Sequence, residues 1–241
     1  MFFGDALIAA EPRPSPTGAQ ADKKNYAQRL SEALAVLFAN GLRPNFPGTL
    51  PLPDGTRHES RARTGKGVKK LDVNYSTPEL GLALGISIKT LNFRDGGSKR
   101  YTKNATRIDN ELRAEAMDYH KRQPYSVLVG VVFVPIDSCD DGNPKRTSSR
   151  SSYAQIINVL KHRAGRRGPD DPSELFESIH VGLYDHKATP ANVLFFDVMH
   201  ERTRTGRPPG ANRDRPAAGA RTLEELYKEI ARTYDERNTI D

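Results

Sequence analysis

Residues 125–135, YSVLVGVVFVP, carry no charged side chain and five valines. So short a run cannot span a bilayer as a helix, and its β-branched content favours extended backbone. It is therefore predicted to be a central strand with both faces buried. A strand covered on both sides needs helices above and below it, and the flanking sequence has their period. NATRIDNELRAEAMDYHKR, 104–122, is helical and must stop before Pro124; SSYAQIINVLKHRAG, 151–165, is a second helix. Upstream, DKKNYAQRLSEALAVLFANG, 22–41, opens on an N-cap residue, places Tyr26, Leu30, Ala33, Leu34 and Leu37 on one stripe, and ends at Asn40-Gly41. Strands are expected in KKLDVNY (69–75), LGLALGISIKTLNF (80–93), ELFESIHVGLYD (174–185) and NVLFFDVM (192–199), with a closing helix in RTLEELYKEIARTYDER (221–237). The order αββαβαββα predicts an α/β fold, a mixed β-sheet flanked by helices.

The 241 residues suit one domain, expected over 22–241. The segment EPRPSPTGAQA, 11–21, has three prolines and no apolar period, so residues 1–21 are expected to form a flexible N-terminal arm. Residues 42–68, rich in Pro, Gly and Arg, read as loop with a short hairpin. Two more loops are CDDGNPKRTSSRSS and the basic stretch at about 201–221, where HERTRTGRPPGANRDRPAAGAR supplies six arginines, as either a phosphate-tracking arm or a solvated loop. With 37 Lys and Arg against 30 Asp and Glu, the formal charge of +7 favours a polyanionic partner without choosing among them. The single cysteine, Cys139, excludes an internal disulfide and any multi-cysteine metal site. No signal peptide or membrane span is legible, and a cytoplasmic location is expected.

The chemistry concentrates in the second quarter of the chain. In LGLALGISIKT, Ala83, Gly85, Ser87 and Lys89 alternate with Leu82, Leu84, Ile86 and Ile88, so one face is apolar and the other carries a lysine. The same period in KKLDVNY sets Leu71, Val73 and Tyr75 on one face and Asp72 and Asn74 on the other. Pairing of these strands brings Asp72 beside Ser87 and Lys89. On the following helix Ile108, Leu112, Glu115 and Tyr119 fall in one narrow arc, flanked by Asn104 and Glu111. A carboxylate inside an apolar stripe costs roughly several kcal/mol unless something meets it. The reading leaves two partners open: a metal ion, or a salt bridge to Arg or Lys, Lys89 included.

The strand pair with Asp72 and Ser87-Ile88-Lys89, followed by RIDNELRAEA, resembles the PD-(D/E)XK nuclease superfamily, to which many type II restriction endonucleases belong. It resembles most the subgroup in which serine replaces the first motif acid and the next helix supplies the missing carboxylate. The resemblance covers 69–135, and elsewhere only the element order; Leu71 stands where the motif has proline. It implies a restriction-endonuclease-like core and a Mg²⁺-dependent endonuclease acting on double-stranded DNA, with a homodimer or higher homo-oligomer expected. It further implies that Asp72 and Glu115 or Glu111, with the Ile88 carbonyl, hold Mg²⁺, that Lys89 acts on the attacking water, and that Ser87 hydrogen-bonds a ligand. The choice between Glu111 and Glu115 stays open. A non-catalytic DNA-binding module with the same fold, or a repair-type nuclease, is the alternative.

Lys66, Lys69, Lys70, Arg100, Lys103 and Arg107 bracket the site in sequence and are candidates for phosphate contact. Glu32 is an outer carboxylate or a surface residue, and Glu79 a substitute ligand after a small shift or a turn residue. TGKGVKK lacks P-loop spacing, and the six histidines form no metal pair at helical spacing, His180 and His186 lying in a strand and the turn after it.

Overall fold

The computed structural model of the protein describes residues 2–57, 60–64, 67–142, 150–201, 216 and 219–238; for residues 60–64 and 67–69 it describes the backbone. Among the described residues there are five α-helices, α1 (Phe3–Ala10), α2 (Gln20–Leu42), α3 (Ala105–His120), α4 (Ser152–Leu160) and α5 (Leu223–Asn238), and two sheets. A ribbon pairs β1 (Ser60–Thr64) with β2 (Gly67–Leu71). The main sheet orders β3 (Val73–Thr77), β4 (Gly81–Thr90), β5 (Val127–Pro135), β6 (Ser178–Asp185) and β7 (Asn192–Asp197) in chain sequence. Its centre, β4, β5 and β6, is parallel and both edge strands are antiparallel. The expected α/β architecture with a mixed sheet is what forms.

Every residue of the valine-rich β5 is buried. Its alternate side chains enter two separate apolar clusters. Val127, Val129, Val131 and Phe133 pack with α1, α2 and α5, while Leu128, Val132 and Val134 pack with α3 and α4. The parallel crossovers β4-α3-β5 and β5-α4-β6 thus lay their helices on one face, and the terminal helices cover the other. α3 ends at His120, ahead of Pro124, and α4 is capped by Ser151, whose Oγ accepts from Ala154 N–H at 3.2 Å. Among the described residues no helix is long and apolar enough to cross a membrane.

Several expectations need correction. The segment expected as a flexible arm is, over its described residues 2–21, not free: Phe3, Ala6, Leu7 and Ala10 are buried, and the Phe3 ring stacks on Phe133 at 5.9 Å and tilts against Tyr184 at 5.6 Å. The proline segment is tied to the body in both directions. Arg29 donates to the Ala10 and Pro12 carbonyls, and Arg13 donates to Asn92 O at 2.6 Å. Helix α2 starts at Gln20, so Asp22 lies in its first turn, near the positive end of the helix dipole, and does not cap it. Second, KKLDVNY is not one strand. The chain bends at Asp72, leaving one ladder and entering another, so Leu71 joins the α3 cluster while Val73 joins the α2 cluster. Third, Leu82 does not share the face of Leu84. The β3–β4 register jumps from Tyr75↔Leu84 to Ser76↔Leu82, and the extra residue, Ala83, turns Leu82 to the other side.

Candidate active site

Ser87, Ile88 and Lys89 occupy the C-terminal half of β4, which runs between β3 and β5. Because Val73 pairs with Ile86, continuing that antiparallel ladder by one residue sets Asp72 opposite Ser87. The bend at Asp72 lets its carboxylate stand where the backbone of a longer β3 would be, and Asp72 Oδ2 accepts the Ile88 N–H at 2.6 Å. α3 crosses this floor with Ile108, Leu112 and Tyr119 buried below it. From that arc Glu115 reaches down: Oε1 meets Lys89 Nζ at 2.7 Å, and Oε2 accepts from Ser87 Oγ at 2.5 Å. Asp72, Ser87, Ile88, Lys89 and Glu115 therefore form one constellation, and of the partners left open for Glu115 the structure contains the salt bridge to Lys89.

The cluster is half-sealed. The Lys89 and Glu115 side chains keep 18% and 21% of their exposure. Burial opposes the charge on Lys89, but the Glu115 carboxylate, by ion pair and hydrogen bond, together with Asp72 and Glu111, outweighs it and raises the lysine pKa. Tyr119 sits below, fully buried, its hydroxyl without a hydrogen-bond partner. Burial, then the negative field of Glu115, Asp118 and Asp72, pushes that phenol well above the usual tyrosine range, so it stays neutral.

Glu111, one helical turn before Glu115, points along the same side but is more exposed and pairs with Arg107 at i,i+4. The geometry separates the two acids: Glu115 touches Ser87 and Lys89, whereas Glu111 acts on Lys89 through its field alone. Glu32 hydrogen-bonds Gln28 on α2 at 3.1 Å and has no place in the cluster, and Glu79 is an exposed turn residue between β3 and β4.

A groove of about 360 Å³ opens beside the cluster, starting at Thr90, the residue after Lys89, and reaching Arg107 on α3. One wall is the first turns of α2 and the other is the segment from Arg94 to Arg107. Arg100, Lys103 and Arg107, three of the expected phosphate contacts, line it. Each already has an acidic neighbour: Asp141 at 4.0 Å from Arg100, Asp95 at 2.7 Å from Lys103, and Glu111 beside Arg107. The ion pair with Lys103 and the N–H and hydroxyl of Ser98 hold the Asp95 carboxyl far below the usual range. Lys70 is exposed on β2 away from this lining, whereas Lys66, the Lys69 side chain and the arginine-rich stretch at 202–215 lie outside the described residues.

Sequence reasoning missed Lys23, Lys24 and Arg94, which complete the groove, and Tyr119 as more than a core residue. The adjacent lysines in the first turn of a helix were visible, but nothing local placed that helix beside the residues after β4. Among the described residues no group of three acidic, histidine or cysteine side chains is arranged to hold a metal ion. No family model, no curated protein and no solved structure matches the chain.

Proposed function

We propose that the protein is a Mg²⁺-dependent endonuclease acting on double-stranded DNA, of the restriction-endonuclease type, working as a homodimer. The observation that carries this reading is the meeting, on a strand and helix far apart in sequence, of Lys89, Ser87 and Glu115 with Asp72 fixed one strand away. The donor chemistry suits a hard cation. Magnesium uses one or two carboxylates and keeps several waters, so Asp72, Glu115 and the Ile88 carbonyl suffice without a third acid. The orphaned Tyr119 hydroxyl beneath them fits a hydrated site. When bound, the ion supplies Lewis acidity at the scissile phosphate and lowers the pKa of a nearby water. Lys89, kept charged by its acidic neighbours, holds the attacking water and offsets charge on the phosphorane. Ser87 orients Glu115, and the Ile88 N–H orients Asp72.

One observation favours a non-catalytic DNA-binding module instead: both Glu115 oxygens are already engaged, as a purely structural strap between β4 and α3 would require. Cleavage of supercoiled plasmid in Mg²⁺ and in EDTA decides. Asp72→Ala, Lys89→Ala and Glu115→Ala are each expected to bind DNA and lose cleavage by about 100-fold or more. Wild-type protein that binds but never cuts, or a Lys89→Ala variant that cuts normally, overturns the nuclease reading.

A further inference from the structure

The groove beside the cluster contains six cations, and two of them differ from the rest. Arg94, Arg100, Lys103 and Arg107 each stand next to a carboxylate: Asp137, Asp141, Asp95 and Glu111. Lys23 and Lys24 have no carboxylate partner among the described residues, and Lys23 reaches only the Phe93 ring, at 5.9 Å. The Arg13 guanidinium also lies over the Phe93 ring, 4.8 Å from its centroid, and donates to Asn92 O and Tyr26 OH. The groove thus has a braced floor, a wall whose cations are neutralised, and a wall whose cations are not.

We infer that Lys23 and Lys24 form a phosphate-binding subsite that grips one backbone of a bound polynucleotide beside the Lys89–Glu115 cluster. This takes from the proposed function only that the ligand is a polynucleotide. Uncompensated lysines facing into a cleft favour an anion, and a row of them on one wall suits a chain of phosphates, each contact releasing a counterion. At about 360 Å³ the cleft is near the lower limit for small-ligand sites, so a duplex cannot enter it but one backbone can lie across it. Its position sets direction: from Thr90, next to Lys89, the wall carries the strand away from the cluster toward the start of α2. The neutralised arginines and Lys103 hold the opposite wall in shape, and Phe93 offers a flat surface at the bottom.

The test compares wild type with Lys23→Ala/Lys24→Ala, and with Lys228→Ala on α5 as a control for loss of an exposed lysine. Binding of a fluorescent 30-base-pair duplex of arbitrary sequence is followed by anisotropy in Ca²⁺ over a range of salt, and thermal melts check the fold. The double variant is expected to bind about tenfold more weakly, with the slope of log K against log salt reduced by about 2, since each lost phosphate contact removes about 0.9. Lys228→Ala should match wild type. In Mg²⁺ the double variant should raise KM more than it lowers kcat, as expected when a binding contact is lost. An unchanged slope overturns the subsite even if the wild type cleaves DNA. A reduced slope in a protein that never cleaves sustains the subsite and removes the nuclease reading. A wild type that does not bind the duplex overturns the subsite as well.

Discussion

Two clusters of buried charge sit at opposite ends of the parallel strands, and they are built differently. At the C-terminal end of β4, Lys89 and Glu115 keep about a fifth of their side-chain exposure and open on a groove. At the N-terminal ends of β5 and β6, Glu177 and Arg166 are each 1% exposed. Glu177 Oε2 accepts the Leu128 N–H at 2.7 Å, while Arg166 and Arg237 approach Oε1 at 3.8 and 3.4 Å and the His120 ring lies 3.5 Å from Oε2. Arg166 turns its remaining donors to the carbonyls of Pro124, Gly168 and Pro169. Burial lowers the Arg166 pKa; Glu177 partly offsets this, and the nearby Arg237 reinforces it. The sealed cluster ties α3, α5 and the segment after α4 to the strand starts. The open one leaves its charges within reach of a ligand, at the strand ends where open α/β sheets place their sites.

The largest expected effect breaks the sealed end. Glu177→Ala leaves Arg166 and Arg237 buried without their counter-charge, which should lower stability by about 3–5 kcal/mol, measured by urea denaturation. A loss below about 1 kcal/mol would show that the two clusters do not differ in kind. Next comes the open end. Lys89→Met keeps most of the stem and removes the charge; cleavage should fall about 100-fold, roughly 3 kcal/mol of transition-state stabilisation, while stability changes by only about 1 kcal/mol.

Acid sensitivity sharpens the contrast, because sealed groups titrate against the fold. His180 on β6 is fully buried. Burial lowers its pKa to about 4, against the pull of Asp197 and with the push of Arg221 and His200. A depressed pKa means the unfolded chain takes the proton first. Stability from this residue is therefore complete above about 6.5 and falls as pH drops from there to about 4. His180→Asn should flatten that limb in thermal melts taken from pH 7 to 4, and a limb that survives unaltered assigns the acid loss elsewhere. The smallest effect separates the two acids of α3. Glu111→Ala removes a largely exposed i,i+4 pair and should change stability by less than about 0.5 kcal/mol, with cleavage within about tenfold of wild type. A Glu111→Ala loss equal to that of Glu115→Ala would move the acid role to Glu111.

The candidate site was largely legible because its parts obey local periods. Alternation along β4 put Ser87 and Lys89 on one face, and the helical arc on α3 aimed Glu115 at it. What failed was alternation carried across irregularities. The bend at Asp72 and the extra residue at Ala83 each invert the facing of the residues beyond them, so simple alternation puts Leu71 and Leu82 on the wrong side. The N-terminal helix was missed for a different reason. Its apolar positions Phe3, Ala6, Leu7 and Ala10 have helical spacing, but the proline-rich segment after it outweighs them until Phe133 and Tyr184 are seen to receive Phe3.

By itself the sequence determined the element order from β4 to α5, the doubly buried strand at 127–135 and the shared face of Ser87 and Lys89, since each depends on neighbours within a few positions. Tertiary structure alone decided that Glu115 rather than Glu111 meets Lys89, that Glu177 gathers cations from Arg166 to Arg237, and that Lys23 and Lys24 face the residues after β4. Those pairings join segments many residues apart. They depend on where crossovers return and which helix face meets the sheet, and the packing of the whole core sets both.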